Sequence, residues 1–312
     1  MANNWNYLNL NGTQVEFLQD FGDGLNSKDI SFPDFSESKK IIIACDYSGE
    51  HKDSKYFTVS FIIADFFGLD EFDQGRRFIR EKYSIGKRRF EYKKIFRDRV
   101  ITKGLTGFLR SVDTIPGILL SFSINKEIEG IFNNVNEIKS ENKIFVDWNI
   151  QDLGKLLWTV HLGSFFLAGL SNENQNIHWL SDRDNIVANH DRKITTAGYF
   201  GKILTMYLPH SIQDFALVVP QDGEIVLDAE DLLSIPDLAG GALADIESIH
   251  HKEKNYPKSD GIIVPVSDSI KEKSSFLANW LAEDHCVLQK LFFRLDYNVD
   301  KTIINYNRTY FK

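Results

Sequence analysis

Two apolar runs near the start of the chain have the pattern of neighbouring β-strands. The run Lys-Lys-Ile-Ile-Ile-Ala-Cys over residues 39–45 leads into Asp46-Tyr47-Ser48-Gly49, which is typical of a buried strand that ends at a turn. From residue 56 to residue 64, apolar side chains alternate with polar ones, the period of two expected for a strand. We therefore predict that the two runs pair as a hairpin, with Asp46 at the end of its first strand.

The rest of the hydrophobic pattern predicts strands that alternate with helices. We expect a third strand at 118–124, a helix at 151–170 that is apolar almost all round, a fourth strand at 177–180, a helix at 195–208, a fifth strand at 215–219 and a helix at 235–246. The basic stretch before the third strand is expected to be helical from about Glu91. This order predicts an α/β fold with a mixed sheet, in which three antiparallel strands precede parallel strands and helices flank the sheet.

Two flanks of different composition border this core. The first 38 residues are rich in Asn, Asp, Gly and Ser and have no sustained period, which indicates an extension wrapped on the core. Beyond His250 the chain is polar until Gly261 and then has the pattern of a strand, a helix at 270–282 and a strand at 291–299. The expected organisation is an N-terminal extension at 1–38, a main domain at 39–250 and a C-terminal appendage at 251–312.

Composition is typical of a soluble protein of a reducing compartment. Hydrophobic residues make up 43% of the 312 residues and include 24 phenylalanines, enough for a large core. The first residues lack the pattern of a secretory signal, and the apolar run at 156–170 is shorter than the roughly 20 residues that cross a bilayer. Cys45 and Cys286 form neither a disulfide framework nor a zinc motif. These features predict a cytoplasmic protein without a membrane anchor.

The charges are segregated along the chain. The formal net charge is -8, which argues against a protein that coats nucleic acid with its whole surface. Residues 76–103 nevertheless hold twelve Lys or Arg and three acids, a local charge of +9 that leaves -17 for the remainder. Lys and Arg supply most of the affinity for phosphate backbones, so this stretch is a candidate nucleic-acid surface; its alternative is a solvated charged face. The proposed contacts are Arg88, Arg89, Lys93 and Lys94.

Four carboxylates stand where a metal site could form. Asp46 ends the first strand, Glu91 lies in the basic stretch, Asp182 ends the fourth strand and Asp237 opens the last helix of the core. Asp184 is the alternative to Asp182, because alternation would point both to the same side of an extended chain. Mg²⁺ and Mn²⁺ prefer oxygen ligands, and two such ions about 3.5 to 4 Å apart can activate water and stabilise a leaving oxygen. The set predicts metal-dependent phosphodiester hydrolysis.

These motifs, in this order, resemble the DUF3800 family (domain of unknown function 3800), which is itself similar to the ribonuclease-H-like superfamily. The resemblance covers roughly 39–247 and rests on Asp46-Tyr47-Ser48-Gly49, Glu91-Tyr92-Lys93, the strand that ends at Asp182, and Asp237-Leu238-Ala239-Gly240. It implies a ribonuclease-H-like fold with Asp46 as the first metal ligand. It also implies that Glu91 is a ligand and that Lys93 contacts phosphate.

The chain departs from that family at two motifs. Tyr47 stands where the family has a second acid, so a ligand role at this position is lost. Pro236 replaces a small residue before Asp237, and the family's preceding Gln is absent. We therefore expect a metal site with fewer ligands than the family's own.

The acids also have purely structural interpretations. Asp46 could organise a turn, since Asp side chains bond nearby backbone amides. The sequence Ser234-Ile235-Pro236-Asp237 could be a capping box at the start of a helix. Glu91 could pair with Lys87 or Lys94 on a solvated face, where an ion pair contributes only about 0 to 1 kcal/mol.

The function that these features favour is a metal-dependent endonuclease or exonuclease acting on DNA or RNA. Asp46, Glu91, Asp182 and Asp237 would hold Mg²⁺ or Mn²⁺ while water attacks the phosphodiester. The resemblance to the DUF3800 family implies a setting in prokaryotic antiphage defence or in a mobile element. The rivals are a catalytically silent ribonuclease-H-like module that binds nucleic acid or a partner protein, and a nuclease that acts only inside a larger complex.

Overall fold

One mixed β-sheet of eight strands runs through the described part of the protein. The computed structural model describes residues 4–6, 8, 16–27, 30–128, 130–132, 135–220, 225–253, 261–263, 270–297 and 304–311. The strands are β1 (Lys40–Ser48), β2 (Tyr56–Asp65), β3 (Gly117–Asn125), β4 (Asn176–Ser181), β5 (Asp214–Val218), β6 (Gly261–Ile263), β7 (Gln289–Tyr297) and β8 (Ile304–Phe311). The helices are α1 (Glu16–Ser27), α2 (Asp70–Lys82), α3 (Arg99–Val112), α4 (Val135–Glu141), α5 (Ile150–Leu170), α6 (His190–Tyr207), α7 (Ile225–Glu253) and α8 (Glu272–Leu281).

The five strands of the predicted core have the order and directions of a ribonuclease-H-like sheet. The strand order of the whole sheet is β5-β4-β1-β2-β3-β7-β8-β6. The β1–β2 and β2–β3 pairs are antiparallel, and β4 and β5 continue the sheet on the other side of β1 in the parallel sense. The predicted fold class, a mixed sheet of antiparallel and then parallel strands flanked by helices, is confirmed.

The C-terminal segment adds strands to this same sheet. β7 pairs in parallel with β3, and β8 pairs with both β7 and β6. The strand predicted at 291–299 is β7, and residues 298 and 299 lie outside the described residues; β8 has no counterpart among the predicted elements. The boundary expected at residue 250 falls inside α7, which ends at Glu253.

Alternation along β1 sends its side chains into two separate cores. Ile43 and Cys45 pack with side chains of α5 and α6 on one face of the sheet, and α1 covers the same face. Ile42 and Ala44 pack with side chains of α2, α3, α7 and α8 on the other. Successive residues of a strand point to opposite faces, so Asp46 continues the second series and faces α7.

α5 is the central helix of the first core. Among the described residues it is the one helix long and apolar enough to cross a membrane by length and composition, and all of its most apolar stretch is buried inside the protein. It packs against α4, α6 and β2. The prediction of a buried helix, apolar almost all round, is confirmed.

Two adjacent glycines bring α7 close to the sheet. A Cβ atom at Gly240 would lie 3.0 Å from Ser60 Oγ on β2. A Cβ atom at Gly241 would overlap the ring of Tyr92, which leaves no room for any other residue there. The close approach seats the turn of α7 that carries Asp237 directly on the end of β1.

The predicted start of the last core helix was wrong. α7 was expected at 235–246 but begins at Ile225 and passes through Pro236. Asp237 therefore lies in the middle of a helix, and the capping-box interpretation of 234–237 is wrong. Ion pairs between α2 and the first turns of α7, described below, hold those turns in place although proline removes a hydrogen bond from the helix interior.

The predicted helix from Glu91 was also wrong. Glu91 is extended and precedes a single 3₁₀ turn at Tyr92–Lys94. The helix α3 begins only at Arg99, where the Asp98 carboxylate accepts hydrogen bonds from the first free backbone amides. The basic stretch is thus a helix, a turn and a second helix, and the turn brings Glu91 toward the sheet.

Candidate active site

A cleft of about 440 Å³ lies at the carboxyl ends of β1 and β4, bordered by α7 and the 3₁₀ turn. We call it the acidic cleft, because its lining includes six carboxylates: Asp46, Glu50, Glu91, Asp182, Glu230 and Asp237. The carboxyl ends of parallel strands share one edge of a sheet, and ligand sites of open α/β sheets form there. The four acids predicted from the sequence therefore line one cleft.

Asp46 on β1 and Asp237 on α7 both line the cleft. Their carboxyl groups are near enough to perturb each other's ionisation. Burial and then the charge of Asp237 hold the pKa of Asp46 well above its ordinary value. Burial also raises the pKa of Asp237 to about 6, although the backbone N–H of Tyr92 donates a hydrogen bond to it at 2.7 Å. A cation placed here would relieve the unfavourable negative charge.

Asp182 lies beside Asp46 because β1 and β4 are parallel neighbours. Their ladder ends one residue before both acids, so the two acids follow the same rung. The guanidinium of Arg89 binds the Asp182 carboxylate in a two-point arrangement, with Nη1 donating to Oδ2 and Nη2 to Oδ1, each at 3.2 Å. Arg89 also forms an ion pair with Glu230 on α7. The cleft thus already contains one cation, the side chain of Arg89.

Glu91 reaches the cleft from the segment before the 3₁₀ turn. Its carboxylate forms ion pairs with Lys93, at 2.9 Å, and with Lys94. Partial burial opposes ionisation of this carboxyl, but the two ammonium groups outweigh it and lower the pKa of Glu91. Glu91 therefore pairs with Lys94, as its structural interpretation expected. It also lines the cleft, as its functional interpretation expected.

Tyr92 ties the 3₁₀ turn to α7. Its hydroxyl binds Asp245 on α7 and lies 2.6 Å from Ser274 Oγ on α8. Its ring packs against Gly241, and its backbone N–H donates to Asp237. Tyr92 consequently sets the position of the Asp237 carboxylate relative to the turn that carries Glu91.

Asp184 does not share the side of the chain that Asp182 faces. Its backbone N–H donates to the carbonyl oxygen of Asp182 at 2.9 Å, so the chain turns there and is not extended. The Asp184 carboxylate accepts a hydrogen bond from the Ile186 N–H at 3.0 Å and lies 3.9 Å from Lys155 Nζ on α5. The expectation that both acids point to the same side was wrong, because it assumed a strand that continues past Ser181.

Tyr47 is directed away from Asp46. It stands where the DUF3800 family, which the motifs resemble, has a second acid. Its hydroxyl accepts a hydrogen bond from Thr159 on α5 at 3.1 Å, and Lys155 lies over its ring at 4.7 Å from the centroid. This is the opposite face of the sheet from α7, as the alternation of a strand requires.

Glu230 is a residue of the cleft that the sequence analysis missed. It precedes Asp237 by seven residues on α7, which is close to two helical turns, so both side chains project from one face. The predicted helix began at residue 235, and Glu230 therefore lay outside any periodic segment. Acids seven apart in one uninterrupted helix are the signal that would have identified it.

Part of the basic stretch is structural. Arg76 and Arg80, both buried, form ion pairs with Asp231, which has no exposed surface. Asp73 and Asp228 bind Arg76 as well. These contacts join α2 to α7, so the two arginines do not contribute to a surface for phosphate.

The four residues proposed to bind nucleic acid differ in how free they are to do so. The side chain of Lys93 is 79% exposed, and that of Arg88 is 49% exposed with Asp98 3.5 Å away. Arg89 and Lys94 are less exposed and are paired with acids of the cleft. Lys93 and Arg88 are therefore the pair best placed to meet a phosphate backbone.

The arrangement of the acids fits a divalent cation only in part. Nowhere in the described ranges is a group of three or more His, Cys, Asp or Glu side chains arranged closely enough to hold a metal ion as it stands. Asp46 and Asp237 fit such an ion as a pair of oxygen ligands, because they are adjacent and carry repelling charge. Asp182 and Glu91 line the same cleft but are bound to basic side chains.

No protein-family model, curated protein or solved structure matches the chain. The resemblance to the DUF3800 family therefore stays a prediction that rests on the four motifs. The function has to be argued from the geometry of the acidic cleft.

Proposed function

We propose that this protein is a metal-dependent nuclease that hydrolyses phosphodiester bonds of nucleic acid. The observation that carries the proposal is the meeting of Asp46 from β1 and Asp237 from α7 in one cleft, as two neighbouring carboxyl groups with raised pKa values. Acids with strongly raised pKa values are typical of functional sites. A fold without such a function would gain stability if one of the two acids were replaced by a neutral residue. A divalent cation is the ligand that their charge and oxygen chemistry select.

Asp46 and Asp237 would hold Mg²⁺ or Mn²⁺, with Asp182 and Glu91 available once their basic partners move. The bound ion would supply an activated water and neutralise charge on the phosphate. The chain's own groups orient this site: Tyr92 positions Asp237 through its backbone N–H, and the β1–β4 register positions Asp182. Lys93, at the rim of the cleft, is placed to bind a phosphate oxygen of the substrate.

The setting of this activity is also part of the proposal. The motif resemblance to the DUF3800 family and the ribonuclease-H-like sheet favour a cytoplasmic nuclease of prokaryotic antiphage defence or of a mobile element. A partner protein that completes the active site inside a larger complex would account for acids that line the cleft but are bound to basic side chains.

One observation favours the rival function, a module that binds nucleic acid without cutting it. Arg89 and the lysines beside Glu91 already neutralise three of the six carboxylates of the cleft. A protein that has replaced its metal by internal cations would have this arrangement. It would bind nucleic acid without added metal and would not cleave it.

A cleavage assay with matched variants decides between the two functions. We expect the wild-type protein to cut single- or double-stranded DNA or RNA with Mg²⁺ or Mn²⁺, and Asp46→Asn and Asp237→Asn to cut more slowly by on the order of a hundredfold or more. The control is Asp214→Asn, which removes an exposed acid at the first residue of β5, at the opposite edge of the parallel strands. Metal-independent binding without cleavage by the wild type would favour the silent module.

A further inference from the structure

Arg89 occupies the space between two acids of the cleft that come from different elements. Its Nη1 and Nη2 atoms bind the carboxylate of Asp182 after β4, and its Nε atom pairs with Glu230 on α7. The side chain of Glu230 is only 11% exposed and that of Arg89 is 32% exposed. This is a partly buried, two-sided ion pair, in which one planar guanidinium lies between two carboxylates.

The main chain beside Arg89 is firmly anchored. Phe90 has no exposed surface, and its ring stacks on that of Phe108 with centroids 4.0 Å apart. The guanidinium is therefore a cation on a short tether at a fixed distance from Asp182. A charge held in this way has a high local concentration and competes with any free cation for the same carboxylate.

We propose that Arg89 is a tethered counter-cation that competes with divalent metal for Asp182. In the protein without substrate, the guanidinium holds Asp182 and Glu230 and keeps a metal ion from using them. A phosphodiester offers the same two-point acceptor geometry to a guanidinium as a carboxylate does, so substrate can draw Arg89 away and free both acids. The inference rests on the proposed function and assigns Arg89 a positioning role in it.

Competition of this kind has a measurable consequence. If Arg89 and the metal ion exclude one another at Asp182, removing the positive charge of Arg89 must tighten metal binding, since linkage is reciprocal. If instead Arg89 only supports the fold, its loss should leave metal affinity unchanged or weaken it. The sign of the change separates the two roles.

The test is a calorimetric titration of Mn²⁺, without substrate, into the wild type, Arg89→Gln and Arg77→Gln. Glutamine can still donate hydrogen bonds to a carboxylate but carries no charge. Arg77 is the matched control: it belongs to the same basic stretch, its side chain is 66% exposed, and its acid partner, Asp228, lies outside the cleft lining. We expect Arg89→Gln to bind Mn²⁺ about tenfold or more tightly than the wild type, and Arg77→Gln to bind it with wild-type affinity.

An unchanged or weaker affinity of Arg89→Gln, or no Mn²⁺ binding by either protein, overturns the inference. Should Arg89→Gln fail to give a cooperative thermal transition, Arg89→Lys serves in its place. Its single ammonium group cannot bind Asp182 at two points and Glu230 at the same time, so it too should bind Mn²⁺ more tightly than the wild type. The readout is metal affinity alone. A wild type that cleaves nucleic acid while Arg89 leaves Mn²⁺ affinity unaffected would refute this inference and leave the proposed function standing.

Discussion

The carboxyl groups of Asp46 and Asp237 oppose the stability of the fold when both are ionised. Burial raises both pKa values, and the charge of Asp237 raises that of Asp46 further, so the native protein without metal is less stable at neutral pH than it would be with one of the acids neutral. The substitution Asp46→Asn keeps the size of the side chain and can donate a hydrogen bond to Asp237. The expected turn at Asp46 is absent, because β1 continues to Ser48 and Asp46 pairs with Ser60 of β2. The substitution therefore separates the charge of Asp46 from its place in the strand.

We expect Asp46→Asn to raise the melting temperature in EDTA at neutral pH by roughly 1–2 °C, the shift that corresponds to about 1 kcal/mol in a chain of 312 residues. Added Mg²⁺ should raise the melting temperature of the wild type and leave that of Asp46→Asn nearly unchanged, because the variant has lost a ligand. Differential scanning calorimetry measures both effects. A variant that melts below the wild type in EDTA would mean that the charge of Asp46 stabilises the protein.

The pH dependence of stability follows from the same pair. Burial raises the pKa of Asp237 from an ordinary 3.8 to about 6, so between these values the native state binds more protons than the unfolded state. The free energy of unfolding therefore falls as the pH rises from about 4 to about 6, by up to about 1.4 kcal/mol per pH unit for one such group. Below about 4 the carboxyl is protonated in both states and contributes no slope.

Urea unfolding of the wild type and Asp237→Asn between pH 4 and pH 7, without metal, tests this dependence. The variant should lose less stability across this range than the wild type. Asp184, whose pKa burial raises to about 6, contributes to both proteins alike, so the difference between the two curves isolates the pair. Parallel curves would show that Asp237 titrates normally.

At the scale of single residues, the sequence predicted four of the acids that line the cleft but not how they are paired. Asp46 and Asp182 could be placed because strand ends are visible in the hydrophobic pattern. The ion pair of Arg89 with Asp182 joins residues far apart in the sequence, and the turn at Asp184 depends on a hydrogen bond of the backbone. Neither leaves a periodic signal, so neither could be predicted.

Among the elements, α7 decides whether the cleft forms. Its two glycines allow the close approach to β2 and to Tyr92, and the approach places Asp237 against Asp46. A substitution at the tighter glycine, Gly241, should therefore disturb both the packing and the site.

We expect Gly241→Ala to destabilise the protein by roughly 1–3 kcal/mol, as overpacked core positions do, and to weaken Mn²⁺ binding. The matched control is Gly198→Ala in α6, also a helical glycine, where an added Cβ would meet nothing within 4 Å. Alanine there should stabilise the helix by up to about 1 kcal/mol. Urea unfolding of the two variants compares them; equal effects at both positions would mean that α7 has room to move away from Tyr92.

The start of α7 shows why element boundaries at the site were misjudged. Proline is typical of the first turn of a helix, and the helix was predicted to begin at residue 235, next to Pro236. In the structure the turns before it are fixed by Asp231, which binds Arg76 and Arg80 of α2. These tertiary ion pairs override the preference of proline for the first turn of a helix. The local sequence does not indicate them, because the partners lie about 150 residues away.

At the scale of the whole molecule, the fold class could be predicted because it depends on the order of elements. The order of alternating and apolar runs along the chain predicted the antiparallel strands β1 to β3 and the parallel strands β4 and β5. The placement of β7 beside β3 could not be predicted, since an apolar strand does not specify which edge of a sheet it joins. The sequence also showed the basic stretch at 76–103. It did not show that Arg76 and Arg80 would be buried in ion pairs while Arg88 and Lys93 would be exposed.

The exposed rim makes a prediction about the salt dependence of nucleic-acid binding. If Lys93 and Arg88 contact phosphates, the double variant Lys93→Ala/Arg88→Ala should weaken binding uniformly across sequences and flatten the log-log salt dependence. The slope should fall by about 1.8 on duplex DNA or about 1.4 on a single strand, twice the loss per contact. Fluorescence anisotropy with a labelled oligonucleotide at several salt concentrations, in EDTA to prevent cleavage, measures the slope.

The control for this variant removes two positive charges elsewhere. Lys139 lies on α4 and Lys143 just after it, and α4 packs against α5 on the face of the sheet opposite α7. Lys139→Ala/Lys143→Ala changes the net charge by the same amount, so general electrostatic attraction falls equally in both variants. Only the loss of direct phosphate contacts should flatten the slope. If both double variants reduce the slope alike, the rim of the acidic cleft is not the binding surface and nucleic acid is held by long-range charge alone.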